Sequence, residues 1–309
     1  MRIIDFEDIT NDMRDETAFV MRCEEEFHDK VSEAAAAVVN AIDDGRTIVC
    51  LTGPSGSGKT TTAMRLMDYI RNLGIAVNMI SMDNFFISLS ERPEDITSLE
   101  DPRCVDRDLL IDCVQRLADG KTVDLPVFDF QNSRRDGSKK MRGHKDGIII
   151  VEGIHMLNPL IFDELKDRAT GLYVAPETRV VTNDDKVLRP EEIRVARRML
   201  RDYIGRGHSL IDTIQMAESV NEGEKKYIRP YRDNAQLKID TFHDYEPCIL
   251  AQYLRDIPEF DEQMTTEFAR AHKKKYLKDI VRKVPPHKTK YVPLDSLLRE
   301  FVGGSKYKY

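Results

Sequence analysis

Residues 47–60 read Thr47-Ile48-Val49-Cys50-Leu51-Thr52-Gly53-Pro54-Ser55-Gly56-Ser57-Gly58-Lys59-Thr60, and the chain then runs on through Thr61 to Asn72. Ile48 to Leu51 is a short apolar run of the kind that forms a buried parallel strand. Gly53 to Thr60 fits G-x-x-x-x-G-K-[ST], a loop whose glycines let successive backbone N–H groups turn inward on phosphate oxygens. From Thr60 to Asn72, Ala63, Leu66, Met67 and Ile70 recur at helical spacing. Strand, glycine loop and helix in that order are the context a phosphate-binding loop needs. The reading assigns Gly53, Ser55, Gly56, Ser57, Gly58, Lys59, Thr60 and Thr61 to a nucleoside triphosphate. Lys59 then reaches the β- and γ-phosphates, and the Thr60 hydroxyl holds Mg²⁺.

The 309 residues suffice for one large domain or two small ones. A hydrophobic share of 41% beside 33% charged residues is that of an ordinary globular chain. A net charge of −7 argues against a general nucleic-acid binder, and the longest apolar stretch, Ala34 to Val39, is too short to span a bilayer. The start turns acidic at Asp5 without a signal-peptide core. The five cysteines are scattered in neither metal-ligand nor disulfide spacing, so the expected home is a reducing cytoplasm.

Working outward, residues 1–45 read as a helical extension, with Phe27, Val31, Ala35, Val38 and Ile42 on one face. That stripe either packs on the core or forms a dimer contact in a homo-oligomer. Strand-like runs at Ile48–Leu51, Val77–Ser81, Ile148–Val151, Leu172–Val174 and Leu237–Ile239 alternate with helical patterns at 60–72, 106–118, 190–204 and 209–220. That alternation predicts an α/β fold, a parallel sheet with helices on both faces, over residues 46–255. Residues 256–309 read as a charged helical tail that packs on the core. Its Lys273-Lys274-Lys275 run reads as a solvated face.

Phosphoryl transfer needs a group to take the acceptor's proton, a metal-bound nucleotide and cations for the developing charge. Asp83 follows the second strand, where an open sheet places its ligands, and fits a general base or a metal ligand; it equally fits a turn cap. Glu152 ends Ile148-Ile149-Ile150-Val151-Glu152, the strand-end carboxylate that orients a Mg²⁺ shell. Arg194, Arg197, Arg198, Arg201 and Arg206 cluster on one helix and its end. They read as a lid over the triphosphate or as a surface helix paired with Glu191, Glu192 and Asp202. Phe128, Phe130, Asn132 and Arg134 lie in a segment suited to a stacked ring or sugar, and the two aromatics fit a hairpin core as well.

The ordered series GPSGSGKT, ISMDNFF, LPVFDFQNSRR, IIIVEGI and RRMLRDYIGRGHS resembles the uridine kinase and phosphoribulokinase superfamily, most closely the bacterial uridine kinase-like nucleoside kinases. Those also carry blocks similar to Ser219–Tyr231 and Ser296–Ser305, so the likeness runs from about residue 46 to 305. The resemblance implies a five-stranded parallel P-loop core with an arginine-bearing lid. It implies transfer of the γ-phosphate of ATP or GTP to a hydroxyl of a small molecule, a nucleoside such as uridine or cytidine. By position it makes Asp83 the catalytic carboxylate and puts Thr60 and Glu152 in the Mg²⁺ shell. Arg197 and Arg201 fall in the lid, and Phe86, Glu100 and Arg194 at the nucleoside. Pyrimidine kinases of that group carry Y-D-F and then a histidine to read the base. This chain has Phe128-Asp129-Phe130 followed by Gln131-Asn132. A different hydroxylated acceptor, a sugar or vitamin precursor, is therefore the alternative, and a nucleotide-dependent switch a more distant one.

Overall fold

In the computed structural model, residues 2–96, 98–182, 187–264, 281–284 and 291–309 are described. The Lys273–Lys275 run lies outside them. Five strands, β2 (Ile48–Thr52), β3 (Val77–Ser81), β6 (Ile148–Glu152), β7 (Ala169–Ala175) and β10 (Leu237–Asp240), form one sheet in the order β10-β7-β2-β6-β3. Every pairing in it is parallel. All residues of β2, β6 and β7 are buried, which is why each reads as an unbroken apolar run rather than an alternating one.

Helices α3 (Lys59–Asn72), α4 (Arg107–Ala118), α6 (Pro190–Arg206), α7 (Leu210–Tyr227) and α8 (Glu246–Arg255) account for the remaining helical patterns and one more. Their starts follow from local chemistry. The Asp106 carboxylate accepts from Leu109 N–H at the head of α4, and Ser209 and Asp212 form a reciprocal capping box on α7. Helix α6 opens on Pro190 and stops at Gly207, whose φ of +69° only glycine adopts cheaply. A small antiparallel ribbon of β4 (Thr122–Asp129) and β5 (Arg134–Arg142) stands off the sheet.

The N-terminal extension is longer than its apolar stripe suggests. Strand β1 (Ile3–Asp5) pairs in parallel with β8 (Arg179–Val181), which also meets the two-residue strand Val187–Leu188. A helix α2 spans Glu16–Asn40. Phe27, Val31, Ala35 and Val38 on it are buried, and they share one apolar cluster with β2, β6, β7 and α3. The stripe is covered by its own chain, which removes the reason to expect a dimer contact through it. Five free cysteines are all buried. Among the described residues, no helix is long and apolar enough to cross a membrane.

Candidate active site

The carboxyl ends of three neighbouring strands meet at one edge of the sheet. The phosphate loop leaves β2, Glu152 ends β6, and Asp83 lies two residues beyond the end of β3, in a 3-10 turn. Register puts Glu152 opposite Leu51 on one side and Ser81 on the other. The Ser81 hydroxyl accepts from Asp83 N–H at 3.3 Å and fixes the turn. The sheet therefore gathers residues that are dozens of positions apart in the chain.

The loop is shaped by exclusions. A Cβ at Gly53 would lie 2.0 Å from the Val174 carbonyl of β7, and Gly58 has φ +84° with Leu297 against it. The carbonyls of Pro54 to Gly58 each find a side-chain donor. Lys59 Nζ donates to Pro54 O at 3.2 Å, Arg194 to Ser55 O at 3.2 Å and Arg197 to Gly56 O at 3.2 Å. The Thr241 hydroxyl donates to Ser57 O at 2.7 Å, and Thr62 to Gly58 O at 2.8 Å. Ser57 N–H turns back on Pro54 O at 3.1 Å, and other amides of such a loop are the donors it offers to an anion. The Ser57 hydroxyl is buried there with no partner among the described residues.

Burial and charge set the protonation of the site. Asp83 is pushed up by burial, against the pull of Lys59, Arg206 and Arg201. Glu152 is pushed up by burial and by the neighbouring Asp83. Two buried carboxylates, one raising the other, are hard-oxygen donors of the kind Mg²⁺ prefers. Among the described residues no three His, Cys, Asp or Glu side chains gather as a metal cage. That suits a cation held by one or two carboxylates and by phosphate rather than by protein alone.

The arginines divide, and this corrects the expectation of a single lid face. Arg194 and Arg197 are 4% and 0% exposed. Arg194 pairs with Glu224 of α7 at 2.5 Å, and Arg197 pairs with Glu246 of α8. Both are anchors that tie α6 to the loop, and neither is free to grip a phosphate or a nucleoside. Arg198, also buried and pushed down to about 10 by desolvation, lies near Glu100 and Asp202. Arg201 and Arg206 remain at the open end of α6. Both act on Asp83 and both share Asp202.

The acceptor side is lined by aromatics. Phe86 lies 5.8 Å from Phe128 and 6.1 Å from Phe130 between ring centroids, and Phe128 lies 5.0 Å from Phe130. Phe128 is buried and Phe130 is 55% exposed, so the hairpin offers one packed ring and one open one. Glu100 is pushed up to about 7 by burial, close to Lys59, Arg198 and Asp83. It packs against Gly223 of α7, where a Cβ would sit 2.3 Å from its own. Asn132 and Arg134 do not join this group. The Asn132 amide is spent on Asp129 at 2.6 Å in the exposed hairpin turn, and Arg134 points to solvent at the start of β5. Its neighbour Arg135 turns inward instead, donating to Phe86 O and Asp106. Arg135 and Glu224 lie inside quoted motifs and Thr241 and Glu246 in none, and only their long-range partners reveal what any of the four does.

Comparison with known proteins identifies the family. A family model described as Phosphoribulokinase / Uridine kinase family matches residues 48–247. A uridine kinase of Streptococcus equi subsp. zooepidemicus is 33% identical over 178 residues, 56% of this chain and 76% of that protein. The uridine kinase of Saccharomyces cerevisiae is 29% identical over 205 residues, 64% of this chain and 37% of that one. A protein of Arabidopsis thaliana named Inorganic pyrophosphatase TTM1 is 31% identical over 202 residues, 64% of this chain. The match spans only 27% of that plant protein's length.

Proposed function

The chain belongs to the phosphoribulokinase/uridine kinase family of kinases, and from that premise we propose that it transfers the γ-phosphate of ATP to a hydroxyl of a nucleoside. The observation that carries the reading is the convergence of Lys59, Arg201 and Arg206 on the buried carboxylate of Asp83 at the mouth of the phosphate loop.

In the reaction, the acceptor oxygen bonds to the γ-phosphorus while the bond from that phosphorus to the β-bridging oxygen breaks. ADP leaves with the electron pair. Asp83 takes the acceptor's proton, a task suited to a carboxylate whose burial has raised its proton affinity. Lys59 and the loop amides hold the transferring phosphate, and Arg201 with Arg206 balances its charge. Thr60, Glu152 and Asp83 would hold Mg²⁺, which would supply positive charge against the negative charge of the triphosphate. Glu100 accepts from acceptor hydroxyls, and the Phe86, Phe128 and Phe130 rings receive a flat ring. Most of the acceleration is positional and electrostatic.

A second reading keeps this chemistry and changes the acceptor to a sugar or vitamin precursor. It is favoured by Phe128 in place of a phenol and by Asn132 being tied into the turn, since both remove base-reading groups. ADP release from Mg-ATP across nucleosides, sugars and vitamin precursors tests both. Turnover with uridine or cytidine supports the first, turnover confined to another class supports the second, and none with any acceptor refutes both.

A further inference from the structure

The described C-terminal stretch, residues 291–309, lies on the head of α3. Leu297, Leu298, Phe301 and Val302 are buried, and the Phe301 ring sits 5.0 Å beneath the Arg197 guanidinium. Gly303 and Gly304 turn the chain at φ +81° and +72°, and Lys306 N–H donates to Leu294 O at 2.8 Å to close the loop. This fold carries Glu300 to Thr61. One carboxylate oxygen of Glu300 accepts from Thr61 N–H at 3.3 Å and from the Thr61 hydroxyl at 2.6 Å. The Tyr309 hydroxyl sits 3.0 Å from that same Thr61 oxygen.

Thr61 follows the Lys59-Thr60 pair, and its amide is one of the unpaired donors of the helix end that completes a phosphate cradle. Its two donors, backbone and hydroxyl, converge on a single anionic oxygen. That is the geometry a phosphate oxygen takes at such a site, supplied here by the chain's own carboxylate. We propose that Glu300 is a residue of the nucleotide site, holding at Thr61 the place of a phosphate oxygen, so that nucleotide binding and docking of Glu300 exclude each other. Two anions cannot accept from the same two donors. Glu300 also faces the rest of the site, acting on both Glu152 and Arg206. The segment therefore sets nucleotide affinity by competition, and bound nucleotide displaces at least the Glu300 side chain with its Tyr309 neighbour. This rests on the reading of the loop as a nucleotide site.

The test is ADP binding by calorimetry to the full chain and to Glu300→Gln, together with amide hydrogen exchange of residues 296–309 in the unsubstituted protein with and without saturating ADP. The neutral amide keeps the size of the side chain and removes its charge. The expected result is about tenfold tighter ADP binding by the variant, the scale of a hydrogen bond to a charged group, and faster exchange of the segment when ADP is bound. Equal or weaker binding by the variant, or protection of the segment by ADP, overturns the inference while leaving the nucleotide reading standing. A charge acting only from a distance would tighten binding without altering exchange, and that outcome also overturns it. Failure of both proteins to bind ADP defeats the nucleotide reading and this inference with it.

Discussion

Arg197 and Glu246 form an ion pair closed to water, with both side chains 0% exposed, and the same guanidinium donates to Gly56 O of the phosphate loop. A second N–H donates to Thr241 O at 2.8 Å, and the Thr241 hydroxyl holds Ser57 O. The pair thus joins α6, α8 and the end of β10 to two consecutive residues of the loop. The loop's shape is set from behind by a charged pair closed to water.

Removing one member of this pair strands the other in a low-dielectric interior. Arg197→Met is expected to destabilise the protein by about 3–5 kcal/mol, the cost of breaking a buried pair. Chemical denaturation measures it. Arg201 is itself partly exposed and shares the buried Asp202 with Arg206, so Arg201→Ala is expected to destabilise less than Arg197→Met, yet to lower kcat. Equal destabilisation by the two would contradict the division of α6 into anchoring and charge-balancing arginines.

The N-terminal helix contributes to the same core as the sheet. Phe27 is 1% exposed, beneath Arg65 and beside His243. Phe27→Ala is expected to cost about 3–5 kcal/mol, read as a lowered denaturation midpoint. A change below about 1 kcal/mol would mean that the helix is dispensable to the core.

Glu100 links pH to acceptor binding. Its carboxyl, ordinarily near 4.5, is raised to about 7 by burial. Between those values the folded chain binds a proton that the unfolded chain has released. This contribution to stability is therefore full below 4.5 and is lost as pH rises toward 7. Acceptor binding runs the other way, because only the ionised carboxylate accepts two hydroxyl protons. The acceptor KM is expected to rise as pH falls through 7, and Glu100→Gln to flatten that rise. An unchanged pH profile in Glu100→Gln would remove Glu100 from the acceptor site.

The five core strands and the phosphate loop were legible because each is local. The strands β2, β6 and β7, buried along their whole length, are contiguous apolar runs, and the loop needs its glycines in fixed places. Asp83 and Glu152 could be singled out because strand ends are where such a sheet presents side chains. What distinguishes Arg197 from Arg201 was hidden. Helical spacing puts residues on a face, but only the tertiary partners Glu246 and Glu224 decide which of them is covered. The same holds for Glu300, which is some 240 positions from Thr61 in the chain. Asn132 was misplaced for a local reason. Asp129 three residues earlier captures its amide in the turn, the ordinary behaviour of Asp and Asn in turns.

The most direct measurement is steady-state ADP release from Mg-ATP with the best acceptor of the panel, for the unsubstituted protein and for Asp83→Asn. Asp83→Asn is expected to lower turnover by about 10²–10⁴ while ATP affinity stays near its original value, as loss of a general base does. Acceptor-dependent ADP release at an undiminished rate in Asp83→Asn would contradict it.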